Sequence, residues 1–418
     1  MNSIESHATN VKTQTKSQIV PMTQLTAQLT SMDSSTVADQ GIDLDVQVFR
    51  SLELVRDAWI ELQKDAYCLG FQQYNWLSAV WETVGHTRSL QLAIVLVSDN
   101  SGRPMMLVPL AERRRNGLRV LEFIDYELCD YNAPLVRREF IHHLGHSGFK
   151  QLWKKILDHI GPVDAIHLEK MPPLIGEAEN PFLQLSARQH TSTFQASLAG
   201  GFDSFTKRRP TKFMRNLRRS GRNLEKLGKV ELTEASNPDE ALAILDRMLT
   251  LKSARCRVTG ADNIFDSDPG YAEFYRVLCR RELGGLVSIG SLTADGRFVA
   301  GNLGLVFGNR FCGLIQASDY DNFGSHSPGG LLVLEVIRQF CERGFEILDF
   351  SLGSEAYKVD WTDETTPLYR HDQGLTPLGK IVVAQQTGYA HLKGTIKKNP
   401  WLLASLKMAK AKLKSLKK

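Results

Sequence analysis

The sequence contains no run of eighteen apolar residues, so we predict that no segment crosses a membrane. Its first thirty residues lack the apolar core of a secretory signal. The six cysteines include no C-x-x-C pair, and their wide spacing predicts reduced thiols rather than a disulfide framework or a zinc site. These absences together predict a cytoplasmic protein.

Aromatic residues are absent from the first forty positions, where Ser, Thr and Gln supply 18 residues. A segment of this composition cannot bury enough apolar surface to offset the entropy lost on ordering. We therefore predict a disordered leader over residues 1–45.

Acidic residues are absent from position 373 onward, where ten lysines accumulate; the rest of the chain has 41 basic and 46 acidic residues. This balance argues against a nucleic-acid-binding surface spread over the whole protein. Within a predicted tail, 391–418, residues 400–418 carry an apolar stripe flanked by lysines. Such a helix fits either peripheral attachment to an anionic membrane surface on its inner, cytoplasmic face or a solvated or partner-bound helix.

The 418 residues suffice for two domains, which we place at 46–194 and 195–390. Both halves show a similar order of predicted helices and strands, which makes the fold class α/β (α+β). Five identities at an offset of 194 support an internal duplication. The pairs join Gly102, Arg103, Asp125, Tyr126 and Pro134 to Gly296, Arg297, Asp319, Tyr320 and Pro328.

Apolar and β-branched runs predict the strands of the first half, among them single strands over 90–97 and 105–114. The same reading predicts a helix over 150–160. His142, His143 and His146 fall before it, in a predicted loop. Because no carboxylate or cysteine pattern accompanies these histidines, we predict no metal site.

The segment Ser327-Pro328-Gly329-Gly330-Leu331 is predicted to join a strand to a long apolar helix. Ser327 suits the N-cap and Pro328 the first helical position. The two glycines would leave the backbone N–H groups of the first turn uncovered, which is the arrangement of a pyrophosphate site. The alternative is an ordinary capped helix with closely packed glycines.

Several motifs of the second half occur in a fixed order: Asp319-Tyr320-Asp321, the Ser327 segment, Gly344-x-x-x-x-Asp349-Phe350 and Gly353-x-x-x-Tyr357-Lys358-x-x-Trp361. As a set they resemble the CelD or BioF2-like acetyltransferase family, a branch of the GNAT superfamily related to Fem-type aminoacyl transferases. In the first half, Met106–Pro134 with Cys129-Asp130-Tyr131-Asn132 is similar to that family as well.

The resemblance implies tandem GNAT-like domains, each a mixed, mostly antiparallel sheet flanked by helices. It also implies an acetyl-CoA or longer acyl-CoA donor, bound by residues 327–331 of the second domain. The first domain, where Leu-Val follows Pro134 in place of Gly-Gly, would be degenerate and shape the acceptor cleft. Family members act on amine or hydroxyl acceptors in envelope or exopolysaccharide biosynthesis, which suggests an amino sugar or a lipid-linked sugar.

The same resemblance suggests catalytic residues, each with a structural alternative. Residues 314–318 would form a splayed strand whose backbone binds the thioester oxygen. Asp319 is a candidate base or a turn-capping residue, and Asp349 or Glu355 are candidate bases acting through water. Tyr357 would protonate the leaving thiolate or pack its ring. Lys358 corresponds to a Fem-type lysine that stabilises charge at the acyl group, or it is a solvated lysine.

Residues 207–229 contain ten basic side chains and one acid. Helical spacing places one group of them on a single face: Arg208, Lys212, Arg215, Arg219 and Arg222. This face is either solvated or binds an anionic partner such as a phosphorylated or nucleotide-linked acceptor. Binding of tRNA is the competing use, and it belongs to the alternative of a Fem-like aminoacyl-tRNA-dependent transferase. A third reading is a non-catalytic accessory subunit of polysaccharide biosynthesis.

Overall fold

The computed structural model describes residues 44–86, 90–115, 117–353 and 356–385. The predicted leader (1–45) lies almost wholly outside these ranges, and the predicted tail (391–418) lies wholly outside them. Within the described residues, no helix is long and apolar enough to cross a membrane.

The structure gives the bounds of ten α-helices and eighteen strands in the described part of the chain, and residues 377–385 are helical as well. The helices are α1 (Leu52–Gln63), α2 (Tyr74–Val80), α3 (Arg138–Ile160), α4 (Gly201–Lys207), α5 (Thr211–Glu225), α6 (Pro238–Thr259), α7 (Ile264–Ser267), α8 (Pro269–Arg281), α9 (Tyr320–Phe323) and α10 (Pro328–Glu342). The strands of the first half are β1 (Asp45–Phe49), β2 (Ala66–Tyr67), β3 (Leu90–Leu92), β4 (Ile94–Ser98), β5 (Pro104–Val108), β6 (Leu110–Arg115), β7 (Leu118–Phe123), β8 (Leu135–Arg137), β9 (Ala165–Met171), β10 (Leu174–Ile175) and β11 (Ala178–Glu179). Those that follow are β12 (Arg188–Ser197), β13 (Val230–Glu234), β14 (Val287–Ala294), β15 (Arg297–Phe307), β16 (Arg310–Ser318), β17 (Ile347–Leu352) and β18 (Glu364–Gly374).

Two large sheets organise these strands. The first has eleven strands in the order β13-β14-β15-β16-β17-β12-β18-β9-β7-β6-β3, and the second has five in the order β1-β4-β5-β8-β2. Pairing is antiparallel except for β16 with β17 and β7 with β9. A long helix, α10 or α3, precedes the second strand of each parallel pair, so the strand–helix–strand unit occurs once in each half. The predicted α/β class is therefore confirmed.

The eleven-stranded sheet runs through both predicted domains. Strand β12 spans the predicted boundary at 194/195 and lies between β17 and β18, while β18 continues the sheet into β9 of the first half. The two halves are consequently joined by backbone hydrogen bonds.

Two segments of the first half that were predicted as single strands each form two strands, so these predictions are wrong. The run 90–97 breaks at Ala93 into β3 and β4, and the run 105–114 breaks at Pro109 into β5 and β6. In each case the two parts belong to different sheets. The break at Pro109 has a direct cause, because proline has no N–H to donate to a ladder. Apolarity alone does not reveal such a crossing, since the residues on both sides remain buried.

The prediction that the three histidines lie in a loop is also wrong. Helix α3 begins at Arg138, so these histidines belong to a helix that is kinked at Gly145, where φ is 51°. Burial of Phe140 and Phe149 on either side of the kink holds the two parts against the core. In the described residues no group of three or more His, Cys, Asp or Glu side chains is placed to hold a metal ion.

Helix α10 is fixed beside β16 by its apolar face. Leu332, Ile337 and Phe340 are buried, and the Phe340 ring stacks on Phe311 of β16 with centroids 4.3 Å apart. Full burial of one such side chain contributes about 1.5–3 kcal/mol. This packing sets the start of α10 next to the carboxyl end of β16.

Candidate active site

Strands β16 and β17 separate soon after they begin. Their parallel register covers three pairs, from Arg310–Ile347 to Cys312–Asp349. Beyond Cys312, β16 continues to Ser318 with β15 alone as its partner. The backbone of 314–318 therefore borders a gap between the two strands, as the family resemblance implies.

The start of α10 borders the same gap but differs from the prediction in one respect. Ser327 occupies the position before the helix in a left-handed conformation (φ 52°, ψ 53°), and its side chain makes no capping hydrogen bond. The predicted N-cap role of this hydroxyl is therefore wrong: the hydroxyl lies 3.4 Å from Ser220 on α5 instead. The first N–H groups of a helix have no intrahelical acceptor, and at α10 the Ser327 side chain does not cap them either.

Both glycines of α10 are needed for close approach. A Cβ at Gly329 would lie 2.7 Å from the side-chain nitrogen of Gln316, and a Cβ at Gly330 would lie 2.8 Å from Leu217. Gln316 also donates a hydrogen bond to the Gly329 carbonyl oxygen at 3.0 Å. The alternative of closely packed glycines thus describes their surroundings, while the first turn still has no side chain at these positions.

Two adjoining cavities, of about 750 and 310 Å³, follow α10 from its first turn to the gap between the strands. They share the wall residues Lys252, Gln316, Val333 and Tyr357. We call the two together the α10 cleft.

Three of the five residues predicted to bind the donor line this cleft, namely Ser327, Gly329 and Gly330. Pro328 and Leu331 are buried and are not among the residues that line the cleft.

Asp349 lies at the inner end of the cleft with no exposed surface. Its Oδ2 accepts hydrogen bonds from the Tyr131 hydroxyl at 2.5 Å and from Arg310 at 2.8 Å. Its Oδ1 accepts one from the Ser351 backbone N–H at 2.7 Å. Burial raises the pKa of Asp349, and the Arg310 guanidinium opposes that rise. Ser351 has φ 58°, an uncommon conformation for a residue other than glycine.

Tyr357 and Lys358 both line the cleft but differ in exposure. The Tyr357 side chain is 49% exposed and contributes to both cavities. Lys358 is only 3% exposed, and its Nζ donates hydrogen bonds to the carbonyl oxygens of Phe350 at 2.8 Å and Leu352 at 2.6 Å. The alternative of a solvated lysine is therefore wrong.

Asp319 occupies the turn after β16, where its carboxylate accepts a hydrogen bond from the Asn322 backbone N–H at 3.1 Å and caps α9. Arg247 lies 3.2 Å from its other oxygen. Asp319 is not among the residues that line the α10 cleft, which favours the capping alternative. Glu355 lies outside the described residues.

Helix α5 carries the predicted basic face along the mouth of the cleft. Its Leu217 packs on Gly330, and both residues line the larger cavity. Within the described residues the exposed cations of this helix have no acidic partner within 4 Å. They are Lys212, Arg215, Arg218, Arg219 and Arg222. Arg208, just before α5, differs because it binds Asp363 and the carbonyl oxygen of Ser197.

Two other residue pairs of the cleft were not identified from the sequence as site residues. Asp130 lines the inner cavity, and its neighbour Tyr131 binds Asp349, although both belong to the first half. Lys252 and Arg255 of α6 line the larger cavity of the cleft, which Phe213 and Leu217 of α5 line as well. The available signal for the first pair was the Cys-Asp-Tyr-Asn stretch, which carried the family resemblance but was assigned no role in the site.

Comparison with known proteins identifies the class of this arrangement. Residues 211–359, from the start of α5 to just beyond Lys358, match the family model of the acetyltransferase (GNAT) domain. The second half of the chain therefore carries a GNAT-type acetyltransferase domain. The strand–helix–strand unit of this matched segment, β16-α10-β17, has a counterpart in the first half, where α3 precedes β9 and β9 pairs in parallel with β7.

Solved structures align with most of the chain at low identity. The crystal structure of FemX aligns with a TM-score of 0.56 at 11% identity, over 81% of this chain and 100% of FemX. A tandem GNAT protein from the clavulanic acid biosynthesis pathway aligns with a TM-score of 0.39 at 12% identity, over 80% and 100% of the two chains. A conserved protein of unknown function from Bacteroides thetaiotaomicron gives 0.46 at 11%, over 78% and 99%. No curated protein matches the sequence.

Proposed function

We propose that this protein is an acyltransferase that moves an acetyl or longer acyl group from acyl-CoA to an amine or hydroxyl acceptor. The α10 cleft is the observation that carries this proposal. Its outer end presents the uncovered first turn of α10, which suits a pyrophosphate. Its inner end lies between the separated strands, where the backbone of 314–318 borders the space for a thioester. The cleft thus has room for an extended donor whose anionic and reactive ends are far apart.

The chemistry follows from the groups at the inner end. Backbone N–H groups aimed at the thioester oxygen would stabilise the negative charge that develops there during attack. Lys358 lines the same cavity and holds a cation beside it, and Tyr357 offers a hydroxyl to the departing thiolate. Transfer is direct, from thioester to acceptor.

The exposed cations of α5 support an acceptor that carries phosphate. Arginine and lysine bind phosphate through charge-assisted hydrogen bonds, and these side chains have no acidic partner in the described part of the chain. An amino sugar phosphate, a nucleotide-linked sugar or a lipid-linked envelope or exopolysaccharide precursor would meet this requirement. We take an amino sugar as the acceptor class to test first.

The same cations leave a second candidate, a transferase that takes its acyl group from aminoacyl-tRNA. Sensitivity of turnover to ribonuclease separates this donor from acyl-CoA. A non-catalytic accessory subunit is the third candidate. Loss of function in vivo in a folded Lys358→Ala variant would count against it.

Calorimetric titration with acetyl-CoA, and separately with longer acyl-CoAs, tests the donor. Ser327 is the best position for a matched pair of variants because it is exposed and left-handed, a conformation that Asp and Asn both tolerate. Ser327→Asp sets a carboxylate against the pyrophosphate and should weaken binding by about tenfold or more, which corresponds to about 1.4 kcal/mol. Ser327→Asn should bind like the wild type. Absence of any saturable CoA binding in the wild type would overturn the proposed donor.

Attachment to a membrane is a separate part of the proposal and depends on residues 400–418. Deleting them should abolish co-sedimentation with liposomes that contain anionic lipid, since each lysine near the surface contributes about 1 kcal/mol. Unchanged co-sedimentation would contradict it.

A further inference from the structure

The inner cavity of the α10 cleft has a lining residue from the first half of the chain. Asp130, in the segment between β7 and β8, lines this cavity together with Gly313 and Leu314 of the splayed strand. Tyr357 and Lys358 complete the wall around the same space. A carboxylate from one domain therefore faces the region where the other domain would hold the thioester.

Resting on the acyltransferase function proposed above, we infer that Asp130 is the general base that accepts the proton of the attacking acceptor. Geometry selects Asp130 because, of the described residues that line the cleft, Asp130 and Asp349 are the two carboxylates. Oδ2 of Asp349 already accepts hydrogen bonds from Tyr131 and Arg310, and its Oδ1 accepts one from the Ser351 backbone N–H. Asp349 is thus a positioning residue, which ties the segment that bears Asp130 to β17.

The charges around Asp130 fit a base that works near neutral pH. Burial raises the pKa of Asp130 to about 6, and Asp349 and Asp125 add to the rise. Lys170 and the hydroxyl of Ser351 oppose it. Other titratable groups face it from neighbouring elements: Tyr275 on α8, Cys312 on β16, Lys252 on α6, and Tyr357 and Lys358 after β17. At pH 7 the carboxylate is ionised, yet it has a higher proton affinity than an exposed aspartate.

The step is balanced without a further reactant. The acceptor nitrogen forms a bond to the thioester carbon, and Asp130 takes a proton from that nitrogen. The carbon–sulfur bond then breaks, and the sulfur leaves as a thiolate that is protonated to the free thiol of CoA. Tyr357 can supply that proton and regains one from solvent, while the proton on Asp130 is released to solvent.

The test compares Asp130→Asn with Glu127→Gln, a control from the same segment. Glu127 is exposed and pairs with Lys170 at 3.2 Å, so the control also removes a carboxylate that interacts with Lys170. Thiol release from acetyl-CoA is measured from pH 5 to 9, with glucosamine and with water as acceptors. Acetyl-CoA affinity is measured in parallel by calorimetry.

We expect Asp130→Asn to lower the rate about 100-fold or more with acetyl-CoA affinity within twofold of the wild type. Glu127→Gln should stay within twofold in both. In the wild type, the rate with water should fall as the pH drops below about 6, the value to which burial raises the pKa of Asp130.

Three results would overturn the inference. The first is an Asp130→Asn variant with the wild-type rate. The second is a wild-type rate that does not change between pH 5 and 7.5, a result that counts even if Asp130→Asn fails to fold. The third is a wild type that binds acetyl-CoA yet cleaves it no faster than buffer with either acceptor. Failure of the wild type to bind acetyl-CoA is a different result and would overturn the proposed function itself.

Discussion

The hydroxyl of Tyr131 lies 2.5 Å from Oδ2 of Asp349, although 218 positions separate the two residues in the chain. This contact joins the first half to the inner end of the α10 cleft in the second. Thr193 of β12 lies 2.8 Å from the same hydroxyl, so the contact is enclosed by the sheet that connects the halves. The cleft is consequently completed only when both halves are folded together.

Removing this hydroxyl should destabilise the whole protein. A hydrogen bond to a charged group contributes about 1.5–3 kcal/mol, so we expect Tyr131→Phe to lower the free energy of unfolding by about 2 kcal/mol. Urea denaturation measures the change. Tyr369→Phe is the matched control, because no hydrogen bond joins the Tyr369 hydroxyl to the described residues, and it should cost less than about 0.5 kcal/mol. Equal effects of the two substitutions would contradict the assigned contact.

A substitution of Lys358 distinguishes a catalytic role of this side chain from a structural one. Lys358→Met keeps an unbranched side chain, one heavy atom shorter, and removes its charge. If the cation stabilises charge at the transferred acyl group, this change should lower the rate of thiol release from acetyl-CoA about 100-fold while calorimetry shows unchanged affinity. If Lys358 only satisfies the carbonyl oxygens of Phe350 and Leu352, the free energy of unfolding should fall and the rate should follow only the folded fraction. The second pattern would contradict its place in the chemistry.

The basic face of α5 should act on a phosphorylated acceptor more than on the donor. We expect Arg215→Gln/Arg219→Gln to raise KM for glucosamine 6-phosphate about tenfold, with little change for glucosamine. The effect should shrink as salt is added, because the side chains are exposed. Lys150→Gln/Lys154→Gln removes the same charge from α3 and serves as the control. Parallel changes for both sugars would remove α5 from acceptor recognition.

Local motifs explain what could be predicted from the sequence. The Ser327 segment and Tyr357-Lys358 were found because short stretches carry their own helix-start and family signals. Asp130 was not identified as a site residue, because its role arises from a contact made across the sheet rather than from its neighbours in sequence. The crossing at Pro109 was missed for a related reason: apolar runs on both sides are buried, and only the sheet order reveals the change of partner.

The structure also excludes one of the two alternatives that the sequence left open for Lys358. Lys358 was selected by resemblance, but the sequence left a solvated side chain open, since an isolated lysine shows no sign of burial. The fold places its Nζ against two backbone carbonyl oxygens of β17. Backbone acceptors of this kind leave no trace in residue identities.

The first half should not bind a second donor. At the position that corresponds to the start of α10, Pro134 leads into β8, whose Leu135 and Val136 pair with β5 and β2. Helix α3 starts only after this strand, and the N–H groups of paired strand residues are not free to bind an anion. Calorimetry should therefore give one acetyl-CoA per chain. A stoichiometry of two would show that the first half keeps a donor site.

A pH-dependent contribution to stability is expected from His167 on β9. Its Nδ1 lies 2.7 Å from Asp372 and its Nε2 lies 3.3 Å from Glu169, so the imidazolium can donate to one carboxylate at each nitrogen. Burial opposes the charged form, but these two hydrogen bonds outweigh it and raise the pKa of His167 to about 9. The contacts of His167 in turn hold the pKa of Glu169 at about 2, against the opposing effect of burial.

The sign of the effect follows from the direction of the His167 shift. The pKa is higher in the folded protein than in the unfolded chain, so the stabilisation is complete below about pH 6.5 and is lost as the pH rises through about 9. We expect the wild type to lose about 2–3 kcal/mol of unfolding free energy between pH 6 and pH 9.5 relative to His167→Gln, measured by urea denaturation at each pH. His167→Gln keeps a polar side chain there and cannot titrate. If the free energies of unfolding of the two proteins fell in parallel over this range, His167 would not be the titrating group.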